Sequence, residues 1–250
     1  PERTILRPCL HDEPEARFEL FEPLVTGVAK LWLNTDPEAD LLDELWPAHA
    51  PAEVIGEGIP VPESYDPEGF RRRHGLGDRR FVLYGGRREG AKNWDALLDG
   101  FVAAIRKEDL DLSLVTFGVG EVHVPPDVAD RIVDLGLLTD RDKDDAFAAA
   151  SAYLQPSAME SFSRTVMEAW LAGTPVIANA ASAVVAWHCD RSGAGLTYDD
   201  TTELEQCLRF VAEAPTEAAA LAVPGRQYVL DHYTWPATLD RMEASLEAMP

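Results

Sequence analysis

From Ala152 to Ala178 the chain reads AYLQPSAMESFSRTVMEAWLAGTPVIA. Ala152–Gln155 is a short apolar run that predicts a buried strand, and Pro156-Ser157 closes it. Phe162, Val166 and Trp170 recur at i, i+4 and i+8, one face of a helix, and Gly173 and Pro175 stop that helix. Pro175–Ala178 then reads as a second strand. Strand, loop, helix, strand is the unit of a parallel sheet. Its loop end places backbone N–H groups and a helix dipole at the carboxyl edge of the sheet, where anions are held. Ser161, Ser163 and Thr165 are expected in the first turn of the helix, able to cap it or touch a phosphate. Glu168, placed two turns inside, carries a carboxylate suited to a ribose diol.

The same alternation runs through the chain from residue 80. Strands are expected at Arg80–Gly85, Leu112–Gly118, Arg131–Leu135 and Gly195–Tyr198 in addition to the two above, each followed by a helical pattern. After the first of them, Trp94, Leu97, Leu98, Phe101, Val102 and Ile105 form a single helical stripe. Six strands complete a doubly wound, Rossmann-like α/β domain over residues 80–234. Residues 1–55 carry three further strands at most (Thr4–Leu10, Leu31–Asn34, Ala52–Ile55) and helices at Glu15–Val28 and Pro37–Leu45. They read as the end of a second α/β domain whose beginning is absent. Residues 56–79 read as a linker and 235–250 as a terminal helix.

Composition narrows the function. With 22 Lys and Arg against 44 Asp and Glu, the formal charge is −22, which repels phosphate backbones and argues against nucleic acid as a partner. The least polar stretch, Ala169–Cys189, is broken by Gly173, Thr174, Pro175 and Asn179, so no integral membrane segment is expected. No charged region precedes an apolar run at the start of the sequence, so no signal peptide is expected. The three cysteines, Cys9, Cys189 and Cys207, have neither disulfide nor zinc spacing. The chain therefore reads as reduced and cytoplasmic, with peripheral contact to a membrane left open.

A second cluster lies at the carboxyl end of the Arg80–Gly85 strand: Gly85-Gly86-Arg87-Arg88-Glu89-Gly90-Ala91-Lys92. Glycine admits a ligand to the backbone, and Arg87 and Lys92 offer a planar fork and a point charge suited to a diphosphate. The dinucleotide spacing G-x-G-x-x-G is absent, which argues against an NAD-dependent oxidoreductase, and Lys92 is not in a Walker loop. Asp140-Arg141-Asp142 has a D-x-D spacing but precedes a helix, where acids serve the amino end; no metal is expected there. His188 and Cys189 are adjacent rather than at metal spacing and read as structural. The Arg71-Arg72-Arg73 run reads as a solvated face of a short linker helix.

In this order, Gly86-Arg87, Lys92, Asp134-Leu135-Gly136, Pro156-Ser157, the E-x7-E pair Glu160 and Glu168, Ala172–Ala178, Gly195-Leu196 and Tyr233-Thr234-Trp235 resemble the carboxyl-terminal half of a retaining GT-B glycosyltransferase of family 4, the group 1 glycosyl transferases. The likeness runs from about residue 52 to the end. More faintly, Cys9–Glu13 is similar to the family's histidine segment late in the amino-terminal domain. The resemblance implies transfer of a sugar, with retention, from a UDP- or GDP-sugar donor to an acceptor that is a saccharide, a lipid or a small molecule, without a resident cofactor or metal. It implies that Gly86, Arg87, Lys92, Phe162 and Ser163 hold the diphosphate, Glu168 the ribose, and Leu137, Leu138 and Lys143 the base. Glu160 and His11 would act at the sugar. Two departures stand out: Ser163 replaces a common glycine, and the segment after Asn179 offers Trp187, His188, Cys189 and Arg191 in place of glycines and a glutamate. A nucleotide-binding module without transfer is the alternative. Because residues 1–55 read as only the last elements of the acceptor-side domain, this chain alone is expected to bind a nucleoside diphosphate and to transfer sugar slowly or not at all.

Overall fold

The computed structural model describes residues 3–249. Near the amino terminus, β1 (Ile5–Leu6), β2 (Lys30–Leu33) and β3 (Ala52–Val54) form a parallel sheet in the order β1-β2-β3. The helix expected over Glu15–Val28 is not continuous. Two 3-10 turns, Pro14–Arg17 and Glu19–Phe21, lead into α1 (Glu22–Thr26). Phe18 is extended between the two turns, and Pro23 cannot donate to a preceding turn. Phe18, Leu20 and Leu24 remain 53%, 78% and 52% exposed and only Ala16 and Val25 of the stretch are buried, so little apolar surface rewards a longer helix here. In α2 (Asp36–Leu45), Thr35 Oγ1 accepts from the Glu38 amide as N-cap, and Leu42 is buried against β2.

After α3 (Pro67–Arg73) comes the main unit: β4 (Phe81–Gly85), α4 (Trp94–Glu108), β5 (Ser113–Phe117), β6 (Ile132–Asp134), α5 (Asp140–Ala149), β7 (Ala152–Gln155), α6 (Arg164–Leu171), β8 (Val176–Asn179), α7 (Ala183–Ser192) and β9 (Leu196–Tyr198). The six strands are parallel in the order β6-β5-β4-β7-β8-β9, the doubly wound arrangement expected. One expectation fails locally. The segment after β5 is a loop and a 3-10 turn, Pro126–Arg131, because Pro125 and Pro126 leave no room for a long helix. Four helices follow: α8 (Thr201–Glu213), α9 (Pro215–Ala220), α10 (Ala222–His232) and α11 (Trp235–Glu247).

Both faces of the sheet are covered, which is why β4, β5 and β7 are buried along their whole length. One face packs on α4 and α8 through Trp94, Leu97, Phe101 and Leu204. The other packs on α5, α6 and α10 through Phe147, Val166, Trp170 and Val229. Gly225 of α10 lies flat on the Trp170 ring; a Cβ there would come within 2.6 Å of it.

The two sheets are tied together. Trp32 Nε1 donates to Ser245 Oγ at 2.9 Å, and Arg241 Nε donates to the Ile55 carbonyl at 2.7 Å, so α11 returns to the small sheet. The Arg71-Arg72-Arg73 run is not simply solvated. Arg71 donates to the Ala149 carbonyl at 2.7 Å and Arg73 pairs with the buried Asp145 at 2.8 Å, fixing α3 on α5.

Candidate active site

Strand order reverses between β4 and β7, and a doubly wound sheet opens a crevice at the carboxyl ends of such a pair. Here the β4 loop and the β7 loop face each other across it. The β4 loop is held from below. Tyr84 OH donates to the Arg87 carbonyl at 2.6 Å, and Gly86 N to the Phe117 carbonyl at 3.1 Å. Gly118 (φ +130°) makes the second contact possible, since a Cβ there would lie 2.0 Å from the Gly86 oxygen.

The adjacent arginines diverge. Arg88 is buried, donates to the Gly118 and Gly120 carbonyls at 2.9 Å each, and pairs with Asp134. Arg87 is 64% exposed at the cavity, 3.2 Å from Glu89. Lys92 ends the 3-10 turn Gly90–Lys92. The next residue, Asn93, adopts a left-handed conformation (φ +52°) and donates through Nδ2 to the Pro156 carbonyl at 3.0 Å. Asn179, at the end of β8, donates to the same oxygen at 3.0 Å. These two amides lock the β4, β7 and β8 loops together, a role the sequence reading did not give them.

In the β7 loop, Ser163 is left-handed (φ +66°), the conformation that favours glycine at this position. Its hydroxyl does not cap α6; it accepts from Gln155 Nε2 at 2.7 Å. Only Thr165 of the three hydroxyl residues lies inside the helix, which begins at Arg164, and Glu168 is its fifth residue. Lys92 Nζ is 2.8 Å from Glu160, and Lys143 Nζ is 2.9 Å from Glu168. Lys143, expected near the base, reaches from α5 to the second glutamate of the E-x7-E pair. Leu137 is 76% exposed, Leu138 packs on the core edge, and both follow β6 without lining the cavities described next.

Two cavities meet at Glu160. One, of about 380 Å³, is lined by Gly86, Arg87, Lys92, Phe162 and Ser163, with Glu57 and Arg164 at its side. The other, of about 490 Å³, lies between the two sheets and brings His11 and Glu38 opposite Met159 and Glu160. His11 is a third exposed and 3.5 Å from Glu13. Glu38 is buried. Desolvation pushes its carboxyl above the usual carboxylate range, against the pull of the Asn34 and Leu10 amides, which donate to it at 2.5 and 2.7 Å. That second bond fixes the backbone next to His11.

Behind Phe162, His188 is fully buried, and its ring meets the phenyl edge-on at 5.3 Å. Burial drives its pKa down to about 3, so it is neutral, with Nδ1 3.0 Å from Tyr228 OH. Asp142 pairs with Arg73 at 2.8 Å. Among the described residues there is no group of three His, Cys, Asp or Glu side chains that could hold a metal ion, and no helix is long and apolar enough to cross a membrane.

The doubly wound sheet carries a basic, glycine-edged cavity at its switch point. The sequence pattern of glycosyl transferases group 1 matches residues 79–213, and the chain belongs to that family. The D-inositol 3-phosphate glycosyltransferase of Saccharomonospora viridis is 28% identical over 92% of this chain and 58% of its own length. In fold, the chain matches the UDP-glucose complex of Anabaena HepE with a TM-score of 0.81 at 18% identity, covering 98% of this chain and 72% of that one. It matches the sucrose-phosphate synthase of Thermosynechococcus elongatus with a TM-score of 0.78 at 21% identity, covering 94% and 62%. The fold is that of the GT-B glycosyltransferases. The chain spans about three fifths of the length of the curated relatives it matches over most of its sequence.

Proposed function

We propose that this chain carries the donor site of a glycosyltransferase that takes a hexose from UDP- or GDP-sugar and transfers it with retention of configuration. The observation that supports this reading is the position of Glu160 where the two cavities join, with Lys92 on one side and His11 on the other. The diphosphate lies in the smaller cavity. As the bond from the anomeric carbon to the diphosphate oxygen breaks, charge grows on that oxygen, and Arg87, Lys92 and the first amides of α6 stabilise it. The sugar lies toward the intersheet cavity, with Glu160 accepting from its hydroxyls and His11 closing the far side. Glu168, steadied by Lys143, accepts from the ribose diol, and the Leu137–Leu138 backbone frames the base. No resident cofactor or metal is part of this reading; the diphosphate charge is met by side chains.

The relatives named for inositol 3-phosphate and sucrose-phosphate make a phosphorylated polyol or sugar the first acceptor to assay. The test is release of UDP or GDP from UDP- and GDP-hexoses with such an acceptor, followed by proton NMR of the product's anomeric signal. An α product from an α donor supports retention, and a β product contradicts it.

A further inference from the structure

Every basic side chain lining the smaller cavity already holds an acid. Arg87 faces Glu89, Lys92 faces Glu160, and Arg164 is ion-paired with Glu57. The third pair differs in origin. Arg164 opens α6, while Glu57 belongs to the Gly56-Glu57-Gly58 segment that follows β3, 107 residues earlier in the chain. Both side chains line the cavity with Arg87 and Lys92. The Glu57 segment is firmly seated. Arg7 donates to the Gly56 carbonyl at 2.8 Å, Arg241 to that of Ile55 at 2.7 Å, and Gly58 lies so close to Trp235 that a Cβ would meet its ring at 2.5 Å.

We propose that Arg164 is a third diphosphate-binding cation and that Glu57 is its internal competitor, a carboxylate that holds the guanidinium until the donor's diphosphate takes its place. This rests on the donor-site reading above. The exchange is favourable on chemical grounds. Arg164 is 44% exposed and Glu57 27%, so their pair is partly screened and weak. A diphosphate offers the same planar fork two oxygens and more charge. Because the ligand must displace Glu57, that acid lowers donor affinity while Arg164 raises it. Donor binding also frees Glu57 and so reaches the segment that joins the two sheets.

Opposite signs are the signature. The whole chain is titrated calorimetrically with UDP, GDP and inorganic pyrophosphate as wild type, Glu57→Gln, Arg164→Ala and the double variant, with thermal unfolding as the fold control. Glu57→Gln should bind about two- to fivefold more tightly, given the modest strength of a partly exposed pair. Arg164→Ala should bind about tenfold more weakly, the scale of a charged hydrogen bond. In the Arg164→Ala background, Glu57→Gln should change affinity less than about twofold, because the competitor has nothing left to hold. Arg164→Lys, which keeps the charge and loses the fork, should fall between and serves if Arg164→Ala does not fold. Shifts of the same sign would make the pair a structural tie. Tightening that persists in the double variant would make it a general charge effect. Either result, or no shift, overturns the proposal while leaving the donor site standing. If the wild type binds none of the three ligands, both fall.

Discussion

Lys92 Nζ lies 2.8 Å from Glu160 Oε1, joining the loop after β4 to the loop after β7 across the point where strand order reverses. One ion pair thus connects the cation assigned to the leaving group with the carboxylate assigned to the sugar. The lysine is 30% exposed and the glutamate 13%, so a ligand reaches Lys92 without dismantling the fold.

Lys92→Ala should weaken UDP or GDP binding by about 1.5–3 kcal/mol, the worth of a hydrogen bond to a charged group. Arg87→Ala should cost less, because Arg87 is more exposed and its charge better screened. Calorimetry measures both, and neither variant should lower the unfolding temperature appreciably.

Arg88→Ala should behave in the opposite way. Removing the buried guanidinium strands the Gly118 and Gly120 carbonyls and breaks the pair with Asp134. A loss of about 3 kcal/mol in urea unfolding is expected, the low end for a broken buried pair because Asp134 reaches solvent. Two neighbouring arginines would then separate binding from stability.

Glu168→Gln should abolish the preference for UDP over 2′-deoxy-UDP (or for the corresponding guanosine pair), and Lys143→Ala should reduce it by loosening the carboxylate. Competition binding decides this. A ribonucleotide preference that survives in Glu168→Gln would remove the ribose role.

His188 makes stability depend on pH. Its folded pKa is near 3 against an ordinary 6.5, because burial disfavours the imidazolium. Between those values the unfolded chain binds the proton and the folded chain does not, so stability falls as pH drops below 6.5. From pH 6.5 to 5 the loss is about 2 kcal/mol. His188→Gln, whose side-chain amide can still hydrogen-bond the Tyr228 hydroxyl, should flatten this acid limb in urea titrations at the two pH values.

Much of this was legible in the chain itself. Ala152–Gln155 falls where its apolar run places it, and the parallel order follows from alternation of strands and helices. The two loops that face the cavity are the two clusters that stood out as Gly86–Lys92 and Glu160–Glu168. What sequence did not reveal depends on distant partners. Which arginine of Arg87-Arg88 turns inward is decided by Asp134, 46 residues later. Lys143 finds Glu168 only once α5 and α6 pack side by side. The Pro156 carbonyl gathers Asn93 and Asn179 from two other loops, and no spacing rule connects those three. Over Glu15–Val28 the helical pattern misled, since periodicity indicates a helix only where there is a surface to bury it against.

The central claim is that the β4–β7 crevice binds a nucleoside diphosphate. Calorimetric titration of the chain with UDP, GDP, ADP and NAD tests it most directly. The account predicts one-to-one binding of UDP or GDP that weakens on Lys92→Ala. Tight binding of NAD with no binding of any nucleoside diphosphate would contradict it.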